Sequence, residues 1–150
     1  MPEAQARVIL AFDFGTRRIG IASGDTVSAT AAPCGAAAVN EHGVDWAAIE
    51  RLLRQYQPHV LIVGSPRNVD GSPGRLSASA DRFAADLARR AHRPVQRTDE
   101  FASSLEAGAR LQEQRRSGQR RRQVQRTDID SAAAAIILER WLAGEGRRDD

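Results

Sequence analysis

The stretch VILAFDFGTRRIGIASGD, residues 8–25, constrains the fold more than any other part of the chain. Residues 7–14 (RVILAFDF) and 18–24 (RIGIASG) are apolar runs of strand length on either side of Gly15-Thr16-Arg17, a pattern that predicts a hairpin. Asp13 stands alone at the end of the first run. A carboxylate in a buried strand is costly unless something satisfies it. A metal ion, a cationic partner, or solvent at the strand edge would each do so.

The rest of the chain supplies a simple order of elements. Residues 28–39 (SATAAPCGAAAV) hold a third strand, which Pro33 assigns to an edge position because proline cannot donate to a ladder. VDWAAIERLLRQYQP places Trp46, Ile49, Leu53 and Tyr56 on one helical face, with Asp45 as the cap. HVLIVGSP is wholly apolar up to its glycine, as expected of a central strand buried on both faces. LSASADRFAADLARRA is helical with Leu76, Ala80, Phe83 and Leu87 facing in, and RPVQRTDE is a short strand running into two acids. SSLEAGARLQEQ and SAAAAIILERWLAG complete the chain as helices. The order β-β-β-α-β-α-β-α-α reads as an antiparallel meander followed by units whose strands must be parallel. The expected fold is α/β and ribonuclease H-like: a five-stranded mixed sheet flanked by helices. At 150 residues it forms one domain, with residues 143–150 expected as a disordered tail.

Charge and composition narrow the function classes. Net charge is +3, and all 22 basic residues are arginine. The guanidinium stays charged and grips phosphate in a bidentate fork, which suits nucleic acid, although a compositional preference for arginine gives the same count. A single cysteine, Cys34, excludes an internal disulfide and a cysteine zinc cluster. His42, His59 and His92 lack ligand spacing and read as turn and helix-end residues. No signal-peptide pattern opens the chain, and no apolar run reaches the roughly 18 residues of a membrane span. These features predict a soluble cytoplasmic protein that avoids membranes, as a monomer or weak homodimer.

Acids recur where elements end. Asp13 closes the first strand, Asp99 and Glu100 follow the fifth, and Asp128 and Asp130 stand just before the last helix. In a sheet whose first, fourth and fifth strands are neighbours, these ends converge. Carboxylates so gathered repel one another unless cations neutralise them. Hard oxygen donors select Mg2+ or Mn2+, and a pair of such ions suits in-line phosphodiester displacement. Each acid also has an ordinary reading: Asp13 and Asp99 as turn acids, Glu100 as a solvated loop acid, Asp128 or Asp130 as a helix cap. Glu106, three residues after Ser103, reads as the acid of a capping box. Immediately before Asp128 lies RRSGQRRRQVQR, six arginines in twelve residues with no acid. Residues 115–127 are expected as a flexible arginine-rich loop within the domain, with Arg120, Arg121 and Arg122 contacting phosphates.

Four stretches together, AFDFGTRRIGIA, LIVGSPRNVDGSPG, DEFASSLEA and DIDSAAAAIILE, resemble the bacterial YqgF (RuvX-like) proteins over nearly the whole chain. That family is associated with Holliday-junction resolution and with nucleolytic processing of the small-subunit ribosomal RNA precursor. The resemblance implies a metal-dependent nuclease centre of Asp13, Glu100 and Asp130, supplemented by Asp128, holding Mg2+ or Mn2+. It implies nucleic acid, as an RNA precursor or branched DNA, as the partner, together with ribosomal particles. Pre-16S rRNA 5′-end processing is the expected role, with junction resolution as the alternative. Thr16, Arg17, Asn68 and Arg97 join the three loop arginines as candidate nucleic-acid contacts. The chain departs from the family at Ser65 and Arg67, where large aliphatic residues are usual, and at Phe101, where the family has arginine and this chain would turn to Arg97 or Arg67. The D-x-G-T turn also resembles the phosphate-binding turn of actin-like ATP-binding proteins, whose second domain and second phosphate turn have no counterpart here. A non-catalytic nucleic-acid-binding protein, whose acids merely cap helices, is the third reading.

Overall fold

The computed structural model describes residues 7–65, 74–98, 104–118 and 124–144. The expected hairpin forms from β1 (Val8–Phe14) and β2 (Arg18–Asp25), antiparallel, with Phe14 opposite Ile19. Gly15 is required at the turn because a Cβ there would lie 2.6 Å from the Arg18 carbonyl oxygen. β3 (Ala31–Asn40) pairs with β2, and the register slips between Ile21 and Ala22 so that Cys34 is passed over as a bulge. A sixth strand, absent from the sequence expectation, is the two-residue β4 (Gly43–Val44), paired with Val39 and Asn40 alone. Pro33 therefore faces an unpaired edge, as expected. Two residues carry too little pattern to be read as a strand.

β5 (Val60–Gly64) and β6 (Val95–Thr98) join β1 in parallel, giving the order β4-β3-β2-β1-β5-β6. β5 is buried at every residue, as its unbroken apolar run requires. α1 (Trp46–Tyr56) is capped by Asp45, whose side chain accepts from the Ala48 amide at 3.2 Å. α1 and α2 (Ser77–Ala91) cover one face of the sheet through Ile49, Ala80, Phe83 and Leu87, which pack on Leu10, Phe12, Phe14, Ile19, Ile21, Leu61 and Val63. The histidines hold turn and helix-end posts: His92 closes α2 in a left-handed conformation, and His59 Nδ1 accepts from the Val8 amide at 3.0 Å.

The opposite face is covered by α4 (Arg126–Leu142), which α3 (Ser104–Arg116) covers in turn. The middle of α4 is therefore apolar on every side, Ala132 to Leu138, and is buried continuously from Ser131 to Leu138. α3 is held to it by Ala107 and Leu111 and by two crossed ion pairs, Arg110–Glu139 at 2.7 Å and Arg140–Glu106. Glu106 is thus structural through Arg140. Its expected capping partner Ser103 lies outside the described residues.

Two boundaries differ from expectation. α4 begins at Arg126 rather than Ser131, so Asp128 and Asp130 lie within the helix instead of ahead of it. The helix gains this first turn because Gln125 and Asp128 form a reciprocal capping box. α3 extends to Arg116, and Val124 packs against the α3–α4 cluster, so both ends of the arginine-rich segment are ordered. Arg120, Arg121 and Arg122 lie outside the described residues, as do residues 145–150 of the expected tail.

Candidate active site

Strand alternation decides what Asp13 faces. Successive side chains of β1 point to opposite faces. Ile9 and Ala11 pack towards α4 with Leu138 and Trp141, while Leu10, Phe12 and Phe14 pack towards α1 and α2. Asp13 continues the first series and so points to the α4 side. Its neighbours on the flanking strands are Gly20 on β2 and Gly64 on β5. The residues directly opposite Asp13 on both adjoining strands thus carry no side chain.

Gly20 also sets the position of α4. A Cβ at this residue would lie 1.9 Å from the Asp130 carbonyl oxygen and 3.0 Å from the Ser131 amide nitrogen. Only glycine lets the helix backbone rest on β2 there. Four residues on, a Cβ at Gly24 would meet the Thr30 carbonyl oxygen at 2.5 Å and, further along α4, the Leu138 side chain at 3.0 Å. Between them Ala22 packs on Ala134 and Ala135. The match is metric: two strand residues span about 6.6 Å and four helical residues about 6 Å. Helix and strand therefore stay in step from Gly20–Asp130 to Gly24–Leu138.

The consequence is a pair of acids. Asp13 is only partly exposed, and its carboxyl is pushed up to about 7, first by burial and then by the negative charge of Asp130. The Arg18 guanidinium, which enters from the β2 side, gives its Nε–H to Asp130 Oδ2. The sequence reading missed Arg18 although a signal was present. Once Phe14 is set opposite Ile19, Arg18 and Gly20 fall on the same face as Asp13 by strand alternation.

The other expected site residues have varied placements. Thr16 and Arg17 are exposed at the hairpin turn beside Asp13, and the turn is pinned by the Val39 amide donating to Arg17 O at 2.8 Å. Asp128 Oδ2 accepts from the Gln125 amide at 2.9 Å, which is the capping role. Arg97 donates Nε–H to Asp81 at 2.7 Å, one terminal nitrogen to Val63 O at 2.8 Å and the other to Ser65 Oγ at 3.1 Å. It braces the ends of β5 and β6, and the polar Ser65 serves as one of its acceptors. Asn68, Arg67, Asp99, Glu100 and Phe101 lie outside the described residues. β6 ends at Thr98, in register with Gly64, which is itself in register with Asp13. Glu100 follows two residues later in the chain. Among the described residues no three His, Cys, Asp or Glu side chains converge. The acid pair Asp13–Asp130 is what the structure brings together.

Set beside known proteins, the chain matches a family model described as "RuvX: Holliday junction resolvase" over residues 7–144. It is 40% identical over 138 residues to a protein of Azotobacter vinelandii named "Putative pre-16S rRNA nuclease", with 91% of this chain and 94% of that protein covered. A protein of Xylella fastidiosa with the same name is 41% identical over 147 residues, covering 95% of this chain and 94% of its own. Among solved structures the fold is similar to Thermus thermophilus RuvC in complex with a Holliday junction substrate, with a TM-score of 0.52 and 16% identity, covering 91% of this chain and 94% of that one. A second Thermus thermophilus RuvC structure gives a TM-score of 0.51 at 14% identity, covering 93% and 98%. The mixed sheet with helices on both faces is the ribonuclease H-like architecture expected from the order of elements. No helix among the described residues is long and apolar enough to cross a membrane.

Proposed function

The chain belongs to the RuvX family, whose model spans residues 7–144, and on that premise we propose that it is a metal-dependent nuclease that trims the 5′ end of pre-16S rRNA. The observation that carries this reading is its 40% identity, over nearly its whole length, with a relative bearing that name. The acid pair supports it chemically. Asp13 and Asp130 are hard oxygen donors, and the residues flanking Asp13 on both neighbouring strands are glycine. A cation held by these two acids would relieve the resistance of Asp13 to ionisation. These residues fit Mg2+ or Mn2+, with Glu100 as the proposed third ligand. Bound there, such ions stabilise the attacking and leaving oxygens of a phosphodiester displacement.

The chain's own groups do the rest. Asp130 and Glu100 orient the attacking water. Gly15 keeps the hairpin turn tight, so that Thr16 and Arg17 reach the substrate backbone without obstruction. Asn68 and the arginines at 120–122 contact phosphates further along the strand, while Arg97 acts indirectly by holding the end of β5. Asp128 serves as the cap of α4. The work belongs in the cytoplasm, on ribosomal precursor particles, and a single copy of the site suffices.

The family description favours a second substrate, a four-way DNA junction, which would require a twofold pair of sites. One experiment separates them. Purified protein is incubated with an end-labelled pre-16S RNA fragment and with a four-way junction, under Mg2+, Mn2+ or EDTA, beside Asp13→Asn. Cleavage of the RNA that disappears in EDTA and in Asp13→Asn supports the proposal. Symmetric nicking of the junction alone replaces it with the second reading. Cleavage undiminished in Asp13→Asn overturns the site.

A further inference from the structure

Arg18 stands in the midst of the proposed ligands yet has no part in the ligand set. Among the described residues its guanidinium bonds Asp130 through Nε alone, and its side chain and that of Asp130 are 30% and 23% exposed. Arg97, by contrast, spends all three of its nitrogens on protein acceptors. Single-donor, partly exposed ion pairs are weak and exchangeable. The backbone of Arg18 is fixed by its pairing with Ala38 on β3, so a change of partner needs only side-chain rotation. The guanidinium is also the cation that offsets Asp130 beside Asp13.

We propose that Arg18 is a built-in counter-cation: it holds Asp130 in the metal-free protein, yields that carboxylate to the arriving divalent ion, and is thereby released to engage the substrate phosphate. This rests on the assignment of Asp13 and Asp130 as metal ligands and adds to it a competition. The same guanidinium occupies either Asp130 or the nucleic-acid backbone. Metal binding and RNA binding are then linked through one side chain, each favouring the other. Among the described residues Asp130 leaves the terminal Nη1–Nη2 edge of the fork without a contact, and that edge matches a phosphodiester in geometry as well as in charge.

The test measures binding, not cleavage. Mn2+ affinity is read by electron paramagnetic resonance on the full chain without nucleic acid, for wild type, Arg18→Gln, Arg18→Lys and Asp13→Asn. Affinity for a single-stranded RNA oligonucleotide is read by fluorescence anisotropy in saturating Ca2+ and in EDTA. Removing both the competitor and a positive charge beside the ion in Arg18→Gln should tighten Mn2+ about tenfold, while Arg18→Lys, which keeps the charge, stays within about threefold of wild type. RNA affinity of Arg18→Gln should fall at least fivefold in Ca2+ and change little in EDTA, where Arg18 is engaged with Asp130. Unchanged or weaker Mn2+ binding by Arg18→Gln overturns the proposal, and so does an RNA defect of equal size with and without Ca2+. Should Arg18→Gln fold poorly, Arg18→Lys decides: Mn2+ affinity raised tenfold with the charge retained would likewise refute a competition of charges. Absence in wild type of any Mn2+ binding that Asp13→Asn removes defeats the ligand assignment itself, and this inference with it.

Discussion

The two faces of the sheet are packed by different means. On one, α1 and α2 meet β1 and β2 through large side chains: Phe83 lies 5.7 Å from Phe12, 5.4 Å from Phe14 and 5.4 Å from Trp46, ring centre to ring centre. On the other, α4 meets β2 through Gly20, Ala22, Gly24, Ala134 and Ala135, while Leu138 and Trp141 pack on Ile9 and Ala11 of β1. The aromatic face keeps helices and sheet apart and derives its stability from buried area. The glycine–alanine face lets a helix backbone touch a strand, which gives less apolar burial but fixes position closely. Asp13 points to the second face. Stability and placement of the candidate site are therefore assigned to opposite sides of one sheet.

That division can be broken in three places, taken from the largest expected effect. Truncating Phe83→Ala removes the ring shared by three aromatic neighbours and should cost about 3–5 kcal/mol by chemical denaturation. Cleavage per folded molecule should change by no more than about threefold. A large loss of cleavage in the folded fraction would show that the aromatic face also positions the site.

Next is Asp13→Asn. Because burial and Asp130 raise the Asp13 pKa to about 7, the folded protein holds this proton more tightly than the unfolded chain does. Asp13 thus lowers the stability of the metal-free protein as pH rises from about 4 through 7, and the cost is fully present above 7. At about 1.4 kcal/mol per unit of pKa, the variant should gain up to about 4 kcal/mol at pH 8 and almost nothing at pH 4. Urea titrations in EDTA at those two values check it. Equal stabilisation at both would mean that the effect is not electrostatic.

The smallest change in stability is expected from Gly20→Ala, about 1–3 kcal/mol, typical of one added methyl in a tight contact. α4 must retreat by about 1 Å to bring the new Cβ from 1.9 Å to the 3.0 Å limit of real contacts. A displacement of that size at a reacting centre costs about a hundredfold in rate. Mn2+ affinity and cleavage should therefore fall far more than stability does. Proportionate losses would dissolve the distinction between the faces.

Much of this arrangement was legible in the chain. The hairpin, the fully buried β5, the Asp45 cap and the inward faces of α1 and α2 follow from local periodicity and capping chemistry, which act within a few residues. The start of α4 was misplaced because its capping box uses Gln125 and Asp128, a less common pair, in a segment whose arginines suggest a loop. β4 was too short to leave a pattern. Arg18 carries no signal of its own beside Arg17, and only the register of the hairpin singles it out.

What the sequence determined by itself was the order of elements, and with it the α/β sheet and the appearance of Asp13 at the end of a buried strand. What it could not determine was the company Asp13 keeps. Asp130 is 117 positions away in the chain, and no local propensity reports a contact across that separation. The tertiary structure supplies it because Gly20 lacks a Cβ, so that α4 settles on β2 and two carboxyl groups are held together, one of them bonded by Arg18.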